Sequence, residues 1–133
     1  MKLVVIIPAY NEEKTIGLVI QRIPKNIPGI NEIAPIVIDD GSTDNTVNVI
    51  KSYLIKDKRF KFFERSESKR KGVSSCRNIG LENANGDFVI FIDVDNFFHW
   101  FTFYNDKMMI ASYFKEEIKT TPNSFKVGVG VDI

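Results

Sequence analysis

Apolar residues along this chain fall into two patterns that alternate, short unbroken runs and helical stripes. Leu3-Val4-Val5-Ile6-Ile7 is a continuous run, mostly β-branched, that ends at Pro8. Such a run predicts a strand covered on both faces of a parallel sheet. From Glu12 to about Ile23 the period changes. Ile16, Val19, Ile20 and Ile23 recur at helical spacing, Asn11 stands where an N-cap belongs, and Glu12 and Glu13 suit the helix dipole. Pro24, Pro28 and Gly29 then break the chain. Ile36-Val37-Ile38 predicts a second strand, closed by Asp39-Asp40-Gly41-Ser42. A second helix is expected from about Asp44 to Ile55, with Val47, Ile50 and Leu54 on one face. Phe60 to Phe63 reads as a weaker strand and Gly72 to Asn83 as a third helix. Asn85-Gly86 is a turn, and Phe88-Val89-Ile90-Phe91-Ile92 is the clearest strand of all. The aromatic-rich stretch from Phe97 to about Lys119 is expected to be mostly helical. Phe125, Val127, Val129 and Val131 alternate with Lys126, Gly128 and Gly130, which predicts a closing strand.

Strands alternating with helices define an α/β chain with an open, mainly parallel sheet. Ligands of such sheets bind beyond the carboxyl ends of the strands. The polar residues lie at those ends: Tyr10-Asn11-Glu12 after the first strand, Asp39-Asp40 after the second, Asp93-Val94-Asp95 after the fourth. Three loops are therefore expected on one rim.

A length of 133 residues suits one domain, expected to span residues 1–133. Hydrophobic residues at 44% and charged residues at 26% are the mix of a globular protein. A formal net charge of +1 argues neither for a nucleic-acid binder nor for an acidic tail, and no nucleic-acid partner is expected. The lone Cys76 excludes an internal disulfide framework and predicts a small buried apolar residue. The apolar opening is too short for a signal peptide, and nothing approaches the roughly 18–20 apolar residues that span a bilayer. The expected location is cytoplasmic, with peripheral attachment to a membrane as the alternative.

Asp93-Val94-Asp95 is the sharpest chemical feature. Two carboxylates one residue apart at a strand end can meet one hard cation, Mg2+ or Mn2+, which keeps positions open for phosphate oxygens. Such a cation screens the charge that builds on a departing diphosphate. The motif alone is common, and the strand placement is what raises it above a solvated loop. Asp39-Asp40 reads equally as turn and capping chemistry or as an acceptor for a base N–H or ribose hydroxyls. Tyr10 can stack a flat base or simply cover the core. Arg77 can hold the rim through a salt bridge or reach a phosphate. The stretch from Lys56 to Lys71 carries eight basic and three acidic residues with Phe60, Phe62 and Phe63 interleaved. A solvated loop beside a strand explains it better than nucleic acid does. His99, among Phe97, Phe98, Trp100 and Phe101, reads as packing or interface.

Taken together, these pieces resemble one family. Val5-Ile6-Ile7-Pro8-Ala9-Tyr10-Asn11-Glu12-Glu13 resembles the opening motif of family 2 glycosyltransferases, and Val37 to Asp44 their second motif. Gly72 to Leu81, then Ala84-Asn85-Gly86-Asp87 and Phe91-Ile92-Asp93-Val94-Asp95, is similar to the third block and its Asp-x-Asp. Order and spacing agree over residues 3–95. The resemblance implies a GT-A fold, Rossmann-like, binding a UDP- or GDP-sugar with a divalent cation. Under it, Pro8, Ala9 and Tyr10 line the base pocket, and Asp39 or Asp40 contacts base and ribose. Glu12 and Arg77 belong to the same nucleotide-sugar site. Asp93 reaches the nucleotide, and Asp93 and Asp95 form the metal pair. It also implies inverting transfer to a glycan or lipid-phosphate acceptor, assisted by a carboxylate base.

One departure stands out. That base normally lies well downstream of the Asp-x-Asp, and only 38 residues follow Asp95 here. Asp106, Glu116, Glu117 and Asp132 match no family motif, so no catalytic base is assigned. The donor half is expected to be present and the acceptor half largely missing. The alternative is a non-catalytic nucleotide-sugar-binding or oligomerising domain of the same fold. A haloacid-dehalogenase phosphatase would need its Asp-x-Asp on the first strand, and a nicotinamide dehydrogenase a glycine fingerprint where this chain has Pro-Ala-Tyr-Asn. The aromatic run from Phe97 to Tyr104 exceeds what one helix face buries, which predicts a homo-oligomer.

Overall fold

The computed structural model of the chain describes residues 1–92, 94 and 126–128. Among the described residues five strands form one sheet: β1 (Lys2–Ala9), β2 (Glu32–Asp39), β3 (Lys61–Glu64), β4 (Phe88–Phe91) and β5 (Lys126–Gly128). Between β1 and β4 lie α1 (Ile16–Arg22), α2 (Thr46–Leu54) and α3 (Val73–Glu82). The strand order is β3-β2-β1-β4-β5, and every pairing is parallel.

The central strand is apolar because both of its faces are covered. Leu3, Val5, Ile7 and Ala9 point to one side with Ile16, Val19 and Ile20 of α1 and Ile50 of α2. Val4 and Ile6 point to the other, with Cys76 and Ile79 of α3. β2 and β4 divide the same way, Val37 and Ile90 to the first core, Ile38 and Val89 to the second. The α3 side is a close approach. A Cβ added at Gly80 would stand 2.5 Å from Ile6 Cγ2, so only glycine lets the helix lie this near β1.

The chain first winds outward from β1 to β3 with α1 and α2 on one face, then returns to the other side of β1 with α3 on the opposite face. The winding therefore reverses between β1 and β4. At such a reversal the loops above neighbouring strands leave in opposite directions and open a crevice.

Two prolines sit inside strands that run longer than their apolar runs predict. β1 continues through Pro8, and β2 includes Pro35. Each occupies a position with one paired neighbour. Pro8 is in register with Ile38 of β2, while pairing of β1 with β4 ends at Ile6 and Phe91. Pro35 is in register with Val5, while β3 begins opposite Ile36. A residue without an N–H is tolerated where the ladder has one side.

The first helix starts later than its sequence pattern predicts, at Ile16 rather than Glu12. Asn11 is not its cap. Asn11 takes a left-handed backbone (φ 48°) and points its side chain elsewhere. Glu12 to Thr15 forms a turn, with Thr15 and Ile16 amides donating to the Glu12 carbonyl at 3.0 and 2.8 Å. The aromatic stretch 97–119 and its expected helix lie outside the described residues, as does most of the closing strand beyond β5.

Candidate functional site

The loops that follow β1 and β2 are laced together by side chains bonding across to backbone. Asn11 Oδ1 accepts the amides of Thr43 (2.8 Å) and Asp44 (3.3 Å), while Asn11 N–H donates to Ser42 Oγ at 2.9 Å. Glu12 N–H donates to Thr46 Oγ1 at 2.8 Å, and Asn45 N–H to a Glu13 carboxylate oxygen at 3.1 Å. Neither loop has regular structure to satisfy its amides, so each supplies the other's partners. The positive φ of Asn11 is what turns its amide toward this neighbour. The two strand ends are thereby fixed as one rim.

Asp39 closes β2 and is nearly sealed, at 2% exposure. One carboxylate oxygen accepts the amides of Gly41 and Ser42, each at 3.0 Å, and the other accepts the Ser42 hydroxyl. That is the turn-forming reading of this residue, and Gly41 takes the left-handed φ of 81° that the turn requires. Asp40 follows, its amide donating to the Ala9 carbonyl at 2.8 Å. Its carboxylate pairs with the Arg65 guanidinium, and both side chains are only 10% exposed. Buried charges persist where they are paired and hydrogen-bonded, and this pair is both.

Arg65 was not singled out by its sequence context, where it is one of several cations in a polar stretch. Its partner lies 25 residues earlier, so no local spacing reveals the pair. The guanidinium also donates to the carbonyls of Ser66 (3.2 Å) and Lys69 (2.9 Å). The basic stretch is thus only partly the solvated loop its composition predicts: Arg65 is internal, and Lys71 lies over Tyr10 with its Nζ 4.0 Å from the ring centroid. A cation at that distance is held by the ring's negative face.

Tyr10 itself is 41% exposed, directly beyond Ala9, which is in register with Asp39. Tyr10, Asp39, Asp40, Pro8 and Ala9 are thereby gathered at one end of the sheet. Arg77 sits on α3 with its guanidinium 5.4 Å from the Phe91 ring, at the end of β4. Its neighbour Cys76 is fully buried, as expected of a small apolar residue. Burial, then the charge of Asp40 and a hydrogen bond to it, push the Cys76 thiol up to about 12. α3 therefore joins the same rim through Asp40.

Asp93 and Asp95 lie outside the described residues. Val94 between them is buried at 3% exposure in the core face shared with Ile7 and Ala9. The amide of Ile92 donates to the Ile6 carbonyl at 2.9 Å, which carries β4 alongside β1 toward the crevice. Among the described residues no group of three or more His, Cys, Asp and Glu side chains gathers to hold a metal. Nor is any helix among them long and apolar enough to cross a membrane.

Fold and rim together define an open-sheet α/β domain whose polar loops converge where the winding reverses. Residues 4–100 match the family Glycosyl transferase family 2, and the chain belongs to that family. Among curated relatives it is 39% identical over 93 residues to a glycosyltransferase of Haemophilus influenzae, covering 70% of this chain and 36% of that one. It is 34% identical over 97 residues to the poly(ribitol-phosphate) beta-N-acetylglucosaminyltransferase TarS of Staphylococcus aureus, covering 73% of this chain and 17% of TarS. The solved S. aureus TarS 1–349 bound to UDP-GlcNAc superposes with a TM-score of 0.59 at 32% identity, covering 89% of this chain and 32% of that one. Glucosyl-3-phosphoglycerate synthase of Mycobacterium tuberculosis, solved with Mn2+ and UDP, superposes with a TM-score of 0.55 at 30% identity over 70% of this chain and 33% of that one. The fold is that of GT-A enzymes. The chain spans about a third or less of the length of these relatives.

Proposed function

We propose that residues 1–133 form a single nucleotide-sugar-binding unit of a glycosyltransferase, and that its donor sits over the ends of β1, β2 and β4. The supporting observation is the lacing of the β1 and β2 loops, which gathers Pro8, Ala9, Tyr10, Asp39 and Asp40 on one rim beside the crevice. In this reading Tyr10 offers its ring to a uracil or guanine base. Asp39 or Asp40 accepts from the base or ribose, their carboxylates held in place by the loop and by Arg65. Glu12 supports the rim through its turn, and Arg77 faces a phosphate. The related enzymes solved with UDP and UDP-GlcNAc favour a uridine donor.

The donor set Asp93 and Asp95 suits a hard divalent cation, because both ligands are carboxylates and they flank a residue fixed in the core. When bound, Mn2+ or Mg2+ would neutralise charge on the diphosphate as it leaves. This chain's own residues hold the base and ribose, so that the sugar projects over the sheet end toward an acceptor, a glycan or lipid phosphate. In this reading an acceptor hydroxyl attacks the anomeric carbon with inversion as the bond from that carbon to the nucleoside diphosphate breaks. The hydroxyl proton passes to a carboxylate base that is assigned to no residue of this chain. The chain works as a homo-oligomer, joined through the aromatic segment that begins at Phe97.

Calorimetry with UDP and GDP, each with MnCl2 and with EDTA, tests the reading. Tighter binding with manganese is expected, and Asp95→Ala should remove that dependence. Equal affinity with EDTA and manganese would refute the metal role. Binding without release of diphosphate from UDP- or GDP-sugars, acceptors present, would favour the non-catalytic alternative.

A further inference from the structure

We propose that Arg65 is a positioning residue for the nucleotide site: sealed between Asp40 and the carbonyls of Ser66 and Lys69, it sets the course of loop 65–72 and so the place of Lys71 over Tyr10. The role rests on the reading that Tyr10 and the Asp39-Asp40 pair receive the nucleotide. The geometry carries the rest.

Loop 65–72 joins β3 to α3 and is tied at both ends to the tip of β2. At its start the Arg65 amide donates to the Asp39 carbonyl at 2.8 Å. At its finish the Gly72 amide faces Asp40 Oδ1 at 3.4 Å. Between these ends the guanidinium supplies the internal support. Its Nε meets the Asp40 carboxylate, and Nη1 donates to Ser66 and Lys69 carbonyls at 3.2 and 2.9 Å. Lys69 and Lys71 are separated by one residue, so the carbonyl that Arg65 holds fixes the backbone immediately before the cation on Tyr10.

This arrangement needs arginine rather than a positive charge as such. A planar guanidinium presents several donors at fixed angles and can serve a carboxylate and two carbonyls together. A lysine ammonium can neutralise Asp40 but cannot span the same acceptors. Arg65→Lys therefore separates the two roles: the buried carboxylate keeps a counter-charge while the loop loses its brace. A merely structural cation would be replaced by lysine with little change at Tyr10.

The test compares wild type, Arg65→Lys, Lys71→Ala and the double variant by hydrogen exchange and by calorimetry with UDP and MnCl2. In Arg65→Lys the amides of 66–72 should exchange roughly tenfold faster, while β1 and β2 stay as slow as in wild type. UDP should bind roughly tenfold more weakly, and the double variant should be no weaker than the worse single one, because both act through the same contact. Wild-type protection of the loop, undiminished UDP affinity in Arg65→Lys, or losses that multiply in the double variant would each overturn the positioning role. Absence of any UDP or GDP binding by wild type would overturn the nucleotide reading itself, and the role with it, whatever the exchange shows. Gly72 sits at φ 134° with open space around its Cβ position. Gly72→Ala strains the loop at its other end while both side chains of the ion pair stay in the sequence, and it carries the same measurements if the lysine variant does not fold.

Discussion

Asp57 and Asp44 are carboxylates whose surroundings favour ionisation. The side-chain hydrogen bond from Arg59 is the main influence on Asp57, opposed by desolvation and aided by the Arg59 amide, and it holds the group below its ordinary 3.8. At Asp44 desolvation is the largest single influence and acts upward. The hydrogen bonds from Thr46 and the Glu13 amide together outweigh it, so this group too lies below 3.8. The sign follows directly. A folded pKa below the unfolded one gives stability that is complete above the unfolded value and is lost as pH falls through the folded one. The urea midpoint should therefore hold steady down to about pH 5 and fall steadily below about pH 4. Asp57→Asn should flatten part of that fall, and an unchanged acid slope in this variant would show that its ionisation is not coupled to folding.

The same residue-level view explains what the sequence hid at the site. Asp39 was open to two readings, turn former or ligand acceptor, and its carboxylate is engaged by Gly41 and Ser42, which satisfies the first without excluding the second. Arg65 was illegible because its meaning depends on Asp40, brought near only by the parallel pairing of β2 and β3. Asn11 was legible as a capping residue but assigned to the wrong amides. It caps the neighbouring loop, because its left-handed backbone turns it away from the helix that follows.

At the scale of elements, strands β1, β2 and β4 were readable from continuous apolar runs, since burial on both faces leaves no alternation to interpret. The lengths of β1 and β2 were not, because paired polar and proline residues extend them, while β4 stops at Phe91, one residue short of its apolar run. α3 was readable in full, with Gly72 just before it and Glu82 at its end. Its packing was not, because Gly80 reads as a weak helix residue until Ile6 is seen beneath it. Gly80→Ala is the direct probe. Alanine is intrinsically better in a helix by about 1 kcal/mol, yet the added methyl meets Ile6, and overpacking typically costs about 1–3 kcal/mol. A net loss of stability is expected, and a double variant with Ile6→Ala should lose less than the two single losses added. A higher melting temperature for Gly80→Ala would mean that α3 lies farther from β1 than described.

For the molecule as a whole, the order β3-β2-β1-β4-β5 explains why the rim was predictable before any distance was known. In a parallel sheet every strand ends on the same side, so residues placed after strands must share that side. What the sequence could not supply was which loops touch. The proposed assembly is tested at this scale. Light scattering across a wide concentration range should give a dimer or larger, and Trp100→Ala with Phe101→Ala should shift it toward monomer. A species of 15.2 kDa at every concentration would refute the assembly.

The central place of β1 also orders events during synthesis. The strand emerges from the ribosome ahead of both its neighbours, and its second flank closes only when Phe88–Phe91 has been made. A parallel sheet offers no hairpin to shelter it meanwhile, since each pairing waits for a crossover. Until then a run of valine and isoleucine stands with one row of amides and carbonyls open, a surface that invites other strands. The strand buried at the centre of the finished sheet is thus an open edge in the nascent chain, and a pause in translation before Phe88 prolongs that exposure.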